Sequence, residues 1–217
     1  MMLRALLIDL DETLYHPGTG MLPAGDKTIS RYLAEFLGIT VPDADELRVR
    51  LTVEYGTTAA GAEVEFGLPQ QELYARSVEQ VDASRYVAAD PQLDAMLAAI
   101  PAELHIFTNA TRRYAQGVLR ALGVERHFAQ IFDVEFCGWR PKPAAEAYAR
   151  VLAEVGVPAN EVGMVEDNAV NIIPARRLGM TTFLLRQEHE AAHYVLANIL
   201  DLHALLHEQR LYFAEAE

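Results

Sequence analysis

Leu6-Leu7-Ile8-Asp9-Leu10-Asp11-Glu12-Thr13 is an apolar run that stops at two carboxylates one residue apart. In a strand, residues i and i+2 point to the same side. Asp9 and Asp11 therefore lie together where a buried strand runs out. Like charges at that spacing repel unless a cation sits between them or one stays protonated. Residues 3–10 are apolar on both faces, as in a parallel-sheet strand covered by helices.

Past a loop holding Pro17, Gly18 and Gly20, the apolar positions Ile29, Tyr32, Leu33, Phe36 and Leu37 recur at helical spacing, and Gly38 supplies the stop. Pro42 and Asp43 open a second helix that runs through Leu47 and Leu51 towards Tyr55. Gly56, Gly61 and Gly67 divide the next segment into short pieces. Pro69 starts another helix through Leu73, Tyr74, Val78 and Val81. Nothing from 14 to about 88 reads as a strong strand, which predicts an all-helical insertion.

Beyond Pro91 the rhythm changes. Strands are expected at 104–107, 131–134, 162–165, 181–185 and 194–196, with helices between them and a last helix at 201–208. Pro143 suits the first turn of the helix that ends at Gly156. The fold class is α/β, a doubly wound parallel sheet with a small all-helical domain inserted after the first strand. The core takes residues 1–14 and 89–217 and the insertion residues 15–88. Such sheets bind ligands outside the carboxyl ends of their strands.

At 217 residues and 51% hydrophobic content, the chain suffices for one core plus a small insertion. A formal charge of −13 argues against a nucleic-acid polymer, because that affinity comes from Lys and Arg on phosphates. A small phosphorylated metabolite remains compatible, since one metal ion and one lysine invert a local potential. The single cysteine, Cys137, reads as a buried structural thiol in a reducing compartment. No run approaches the ~20 apolar residues of a membrane helix. A cytoplasmic monomer or homodimer is expected, with no membrane partner.

Three apolar strands end in polar residues: Asp9 and Asp11, Thr108 and Asn109, Glu166 and Asp167. Strands of one parallel sheet bring these ends to one edge. Of 18 basic residues only Lys27 and Lys142 are lysines, and Lys142 lies between Pro141 and Pro143. A compact ammonium acts on phosphate as a point charge. Lys27 reads as a solvated helix residue.

Asp9-Leu10-Asp11-Glu12-Thr13-Leu14, Phe107-Thr108-Asn109, Lys142-Pro143 and Val165-Glu166-Asp167-Asn168 resemble, in order and spacing, the four motifs of the haloacid dehalogenase-like superfamily. The insertion resembles that family's helical (C1-type) cap. The resemblance implies that Asp9 is the nucleophile, giving an aspartyl-phosphate. It implies that Asp11 protonates the leaving alcohol and later activates water. Mg²⁺ would bind Asp9, the backbone carbonyl of Asp11, and Asp167 with or without Glu166. Thr108 and Asn109 would hydrogen-bond the transferring group, and Lys142 would offset its charge. Glu166-Asp167 departs from the commoner Gly-Asp or Asp-Asp, and Asn171 stands where many relatives have a further acid.

The dehalogenases of this superfamily do not have the second Asp, which points to phosphate ester hydrolysis. A Schiff-base phosphonatase would need a cap lysine, and Lys27 alone is available. A sugar-phosphate phosphomutase shares all four motifs and stays as the alternative. A non-catalytic phosphate-ligand binding module would have little reason to keep these residues together. The stretch from Glu54 to Gly61, Leu14-Tyr15, and Phe107-Thr108-Asn109-Ala110 resemble the pyrimidine 5′-nucleotidase branch. That implies substrate contacts for Tyr15, Tyr55, Thr57 and Thr58. The branch often has Leu-Arg around Ala59-Ala60, and losing that arginine would remove a contact to the substrate. Read structurally, Tyr55 to Gly61 is equally a tight helix-helix turn.

Overall fold

A computed structural model describes residues 2–211. Strand β1 (Ala5–Ile8) is buried along its length. Its side chains alternate between two apolar layers, Leu6 and Ile8 on one face, Ala5 and Leu7 on the other. Apolar residues on both faces suit the central strand of a covered parallel sheet. β1 pairs with β2 (Glu103–Phe107) on one side and β4 (Val162–Glu166) on the other. β3 (Phe128–Phe132) lies outside β2, and β5 (Thr181–Leu185) and β6 (Tyr194–Leu196) lie outside β4. All pairings are parallel and the order is β3-β2-β1-β4-β5-β6. The direction of winding reverses between β1 and β4, so the ligand crevice opens at their carboxyl ends. Ile8 stands opposite Ile106 and Val165, which brings the polar residues after each strand to one level.

Four helices fill the chain between β1 and α5 (Pro91–Ala98): α1 (Met21–Leu37), α2 (Val41–Tyr55), α3 (Thr58–Phe66) and α4 (Gln70–Arg76). The expected all-helical insertion is thus present, and its apolar residues Leu33, Leu51 and Leu73 join the same buried cluster as Leu6 and Ile8. α6 (Arg112–Leu122), α7 (Ala145–Val155), α8 (Ala169–Arg177) and α9 (Leu202–Glu208) complete the covering of the sheet. No helix among the described residues is long and apolar enough to cross a membrane. Cys137 is free and buried, and burial pushes its thiol up to about 11.

Some local expectations are corrected. α1 begins at Met21, before the first strongly periodic residue, and Gly20 in the left-handed region precedes it. Gly61 does not break the chain but sits inside α3, where a Cβ would lie 2.8 Å from Leu51 and Tyr55 of α2. Its missing side chain lets two helices touch. The helix after Pro69 ends at Arg76, because Ser77 leaves helical geometry (φ −125°, ψ −96°) before a short 3₁₀ turn over Val78–Gln80. Pro143 precedes α7 instead of starting it, and the Lys142–Pro143 peptide is cis. The third strand ends at Phe132, earlier than expected, leaving Asp133 to cap the next turn.

Gly163, in the middle of β4, has the side chain of Leu6 where its own would be, with a Cβ reaching 2.5 Å from Leu6 Cδ2. Leu6 is fully buried and has no room to retreat. Gly163→Ala should therefore lower stability by about 1–3 kcal/mol. Gly117, inside α6 with nothing within 4 Å of a built Cβ, should instead gain about 0.5–1 kcal/mol on mutation to Ala. Urea denaturation of both variants checks the pair of signs.

Candidate active site

The carboxyl ends of β1, β2 and β4 converge as expected, and one buried lysine ties them together. Lys142 Nζ donates to Asp9 Oδ1, Glu166 Oε1 and the Phe107 carbonyl, each at 2.7 Å. An ammonium has three protons, so none is left over. Burial by itself would push the Lys142 pKa down, but the charges of Asp9 and Glu166 reverse this and hold it above the usual lysine value. Asp9 is raised well above the ordinary carboxylate range, first by burial and then by repulsion from Glu166, with Lys142 opposing.

Asn109 was expected to meet the transferring group. Its amide clamps the lysine's own backbone, with Nδ2 donating to the Lys142 carbonyl at 2.9 Å and Oδ1 accepting from the Lys142 N–H at 2.6 Å, and these bonds use one of the two Nδ2 protons. Thr108 is buried, and its Oγ1 accepts from Ala110 N at 3.1 Å. A hydroxyl that accepts there keeps its own proton to donate.

Asp11 has two partners that sequence reasoning did not assign to it. Tyr15 and Tyr114 both donate to its Oδ1, at 2.5 and 2.8 Å. Burial raises the Asp11 pKa, and these two hydrogen bonds oppose the rise. Tyr15, expected to touch substrate, thus holds the second carboxylate. Tyr114 lies 103 residues from Asp11, and in sequence it is one apolar position of α6. No signal in the chain marks the direction of its hydroxyl.

Carboxylate oxygens of Asp9, Glu166 and Asp167 lie within 4.8 Å of one another. Glu166 is fully buried and fully engaged: Oε1 accepts from Lys142 and Asn171, Oε2 from the N–H groups of Asp167 and Asn168. The expectation of Glu166 as a metal ligand meets this saturation. It reads as the anchor behind the site, with Asn171 as its partner rather than a further acid. Asp167 is half-buried and raised to about 7, by burial and by the charge of Glu166, against Arg186. Arg186 lies 3.7 Å from Asp167 Oδ2 and donates to the Glu12 carbonyl. Thr13 Oγ1 reaches Asp167 Oδ1 at 3.4 Å. Two oxygen-donor carboxylates with unbalanced charge fit a hard divalent cation, which is held by one or two carboxylates and keeps several waters.

Asp9, Asp11, Thr108, Asn109, Lys142, Glu166 and Asp167 all line one cleft of about 470 Å³. Its opposite wall comes from the helical insertion, with Leu22, Gly25, Asp26 and Ile29 of α1 and with Tyr74 and Val78. Tyr74 also donates to the Asn109 carbonyl at 2.9 Å. Tyr55, Thr57 and Thr58 do not line this cleft. Thr57 caps α3 by accepting from Ala60 N, and Thr58 Oγ1 lies 2.8 Å from Thr52 Oγ1. Tyr55 does line an adjoining cavity of about 820 Å³, which shares Asn109, Lys142, Asn168 and Asn171 with the cleft. The helix-helix turn touches the site from outside, because a Cβ on Gly56 would lie 3.3 Å from the Lys142 carbonyl.

A family model of haloacid dehalogenase-like hydrolases matches residues 3–179. No curated protein matches the sequence. Among solved structures, a HAD phosphatase from Thermococcus onnurineus superposes with a TM-score of 0.66 at 19% identity, covering 94% of this chain and 98% of that one. The putative HAD-hydrolase YfnB from Bacillus subtilis, bound to magnesium, gives a TM-score of 0.61 at 20% identity, covering 95% and 99%. L-2-haloacid dehalogenase from Xanthobacter autotrophicus, with chloropropionic acid covalently bound, gives 0.59 at 16% identity, again covering 95% and 99%. At these identities the likeness establishes the fold.

A carboxylate whose folded-state pKa is raised costs stability once pH exceeds its unfolded value near 4. For Asp167 that cost is complete only above about 7. A bound cation removes it, but below pH 7 the ion must first displace a proton. The rise in Tm on adding about 10 mM Mg²⁺ should therefore be larger at pH 8 than at pH 5.5. Thermal denaturation at the two pH values measures the difference.

Proposed function

Because the chain belongs to the haloacid dehalogenase-like hydrolase family, we propose that it is a Mg²⁺-dependent phosphomonoester hydrolase working through a phosphorylated Asp9. The observation that carries this reading is the half-buried second carboxyl, Asp11, with one oxygen held by two tyrosine hydroxyls and a pKa raised from its ordinary value by burial. A halide leaves as a stable anion and asks for no proton, whereas an alkoxide needs one as it departs. A proton donor fixed beside the nucleophile serves an alcohol leaving group and is wasted on a halide.

In the first half-reaction an Asp9 carboxylate oxygen attacks phosphorus, the ester P–O bond breaks, and Asp11 gives its proton to the leaving oxygen. In the second, water attacks phosphorus as Asp11 takes its proton, and the Asp9–phosphoryl bond breaks to release phosphate. Asp11 is then protonated again, ready for the next turnover. Lys142 keeps Asp9 aimed and offsets the charge that gathers there. The Thr108 hydroxyl is placed to donate to the phosphoryl group. Asp9, Asp167 and the Asp11 carbonyl would hold Mg²⁺, which when bound neutralises and orients phosphoryl oxygens. The magnesium in the Bacillus subtilis protein of the same fold supports that choice.

A pyrimidine nucleoside 5′-monophosphate was one expected substrate. Thr57 and Thr58 are engaged within the helix-helix turn, and Tyr55 lines a cavity beside the cleft rather than the cleft itself, so the three do not single out that substrate. The proposal therefore rests at phosphate monoesters. A panel of such esters with Mg²⁺ and with chelator tests it. Phosphate release that needs Mg²⁺ and vanishes in Asp9→Asn supports it. Interconversion of sugar phosphates without net release would mean a mutase, and ligand affinity without turnover a binding module. Asp11→Asn should lower kcat on alkyl phosphates by about 10²–10⁴. On p-nitrophenyl phosphate the first step should suffer far less, so a burst of one equivalent of p-nitrophenol should precede slow turnover in a stopped-flow trace.

A further inference from the structure

The wall that α1 turns to the cleft reads Leu22, Gly25, Asp26 and Ile29, at i, i+3, i+4 and i+7, so one helical face supplies it. Gly25 lets Val78 close in, since a Cβ there would meet Val78 Cγ1 at 3.2 Å. The wall is apolar apart from one carboxylate. Asp26 sits in the cleft with its charge felt at Asp11 and Tyr114 across the opening. One of its oxygens lies 3.0 Å from Arg48 Nη1, and Arg48 is shared with Asp45 at 3.1 Å. Arg48 itself does not line the cleft. Among the described residues the only Lys or Arg that does is Lys142, whose three protons are already taken by Asp9, Glu166 and the Phe107 carbonyl.

We propose that Asp26 is a specificity-determining residue: it accepts a hydrogen bond from an N–H or O–H donor on the alcohol half of the substrate, and it excludes alcohols bearing a second anionic group. This rests on the phosphatase reading above. The phosphoryl group has its own counter-charges at the strand ends. A further carboxylate or phosphate on the alcohol, turned towards α1, would face an apolar wall and an acid with no Lys or Arg lining that side of the cleft, and like-charge juxtaposition in a half-buried site is strongly unfavourable. A hydroxyl or ammonium finds an acceptor there. A site that hydrogen-bonds one group discriminates well against a ligand that leaves its polar atom unpaired.

The test compares kcat/KM with Mg²⁺ for phosphoethanolamine and glycerol 3-phosphate against phosphoglycolate and 3-phosphoglycerate, in the wild type and in Asp26→Asn. p-Nitrophenyl phosphate serves as a common probe of the chemistry. The wild type should prefer the first pair by at least about tenfold, and Asp26→Asn should shrink that preference by about tenfold. If every substrate falls together with the preference unchanged, Asp26 only anchors Arg48 and the inference is wrong. A wild type that turns over p-nitrophenyl phosphate but prefers the carboxylated esters also overturns it and leaves the phosphatase reading standing. No turnover of any ester, p-nitrophenyl phosphate included, removes the phosphatase reading and this inference with it.

Discussion

The ammonium of Lys142 is the contact on which the site depends. It is a buried cation, 1% exposed, held by two carboxylates and a main-chain carbonyl. Taking such a charge out of water costs several kcal/mol, and only close, fully hydrogen-bonded partners offset that. All three partners stand at the same distance, so the offset is as complete as an ammonium permits. Removing one partner from an arrangement of this kind typically costs about 3–5 kcal/mol, because it strands the rest. The triad therefore fixes geometry more than it adds stability. Asp9 is aimed by it, and Glu166 is occupied by it.

Four separate pieces of chain must arrive for this contact to form. β1 brings Asp9, β2 ends at the Phe107 carbonyl, β4 ends at Glu166, and the loop before α7 brings the lysine. The parallel register sets the first three level. The lysine has no strand to hold it, and the Asn109 amide does that work by pairing with both backbone groups of Lys142. The helical insertion then closes over the loop, through Gly56 above the Lys142 carbonyl and Tyr74 on the Asn109 carbonyl. The wall that would meet a substrate and the lysine that serves the phosphoryl group are thus mechanically joined.

Much of this was legible in the sequence, for a physical reason. A central parallel strand must be apolar on both faces, so the abrupt arrival of Asp9, Thr108 and Glu166 after such runs marks the edge where a ligand binds. Lys142 stood out because the chain uses arginine at every other basic position except Lys27. What the sequence hid was which way polar atoms point. Glu166 sits where a metal ligand was expected, yet both its oxygens are engaged by the protein, and Asn109 spends part of its amide on the Lys142 backbone. Tyr15 was expected to face substrate and Tyr114 is one apolar position of α6, and only packing turns both hydroxyls to Asp11. Gly61 read as a break because a glycine's close-packing role is visible only with the neighbouring helix in place. Asp26 lies three residues before Ile29, the first of the periodic apolar positions, and nothing local distinguishes it from a solvated acid.

Asp9 in this mechanism is a covalent participant, and one measurement addresses that directly. The protein is mixed with Mg²⁺ and a phosphate monoester that it turns over, quenched in acid within the first turnover, and digested for peptide mass analysis. The mechanism predicts a peptide holding Asp9 that carries the added mass of one phosphoryl group, absent from Asp9→Asn. Turnover in which that peptide never gains the mass, or in which another residue carries it, would contradict the mechanism.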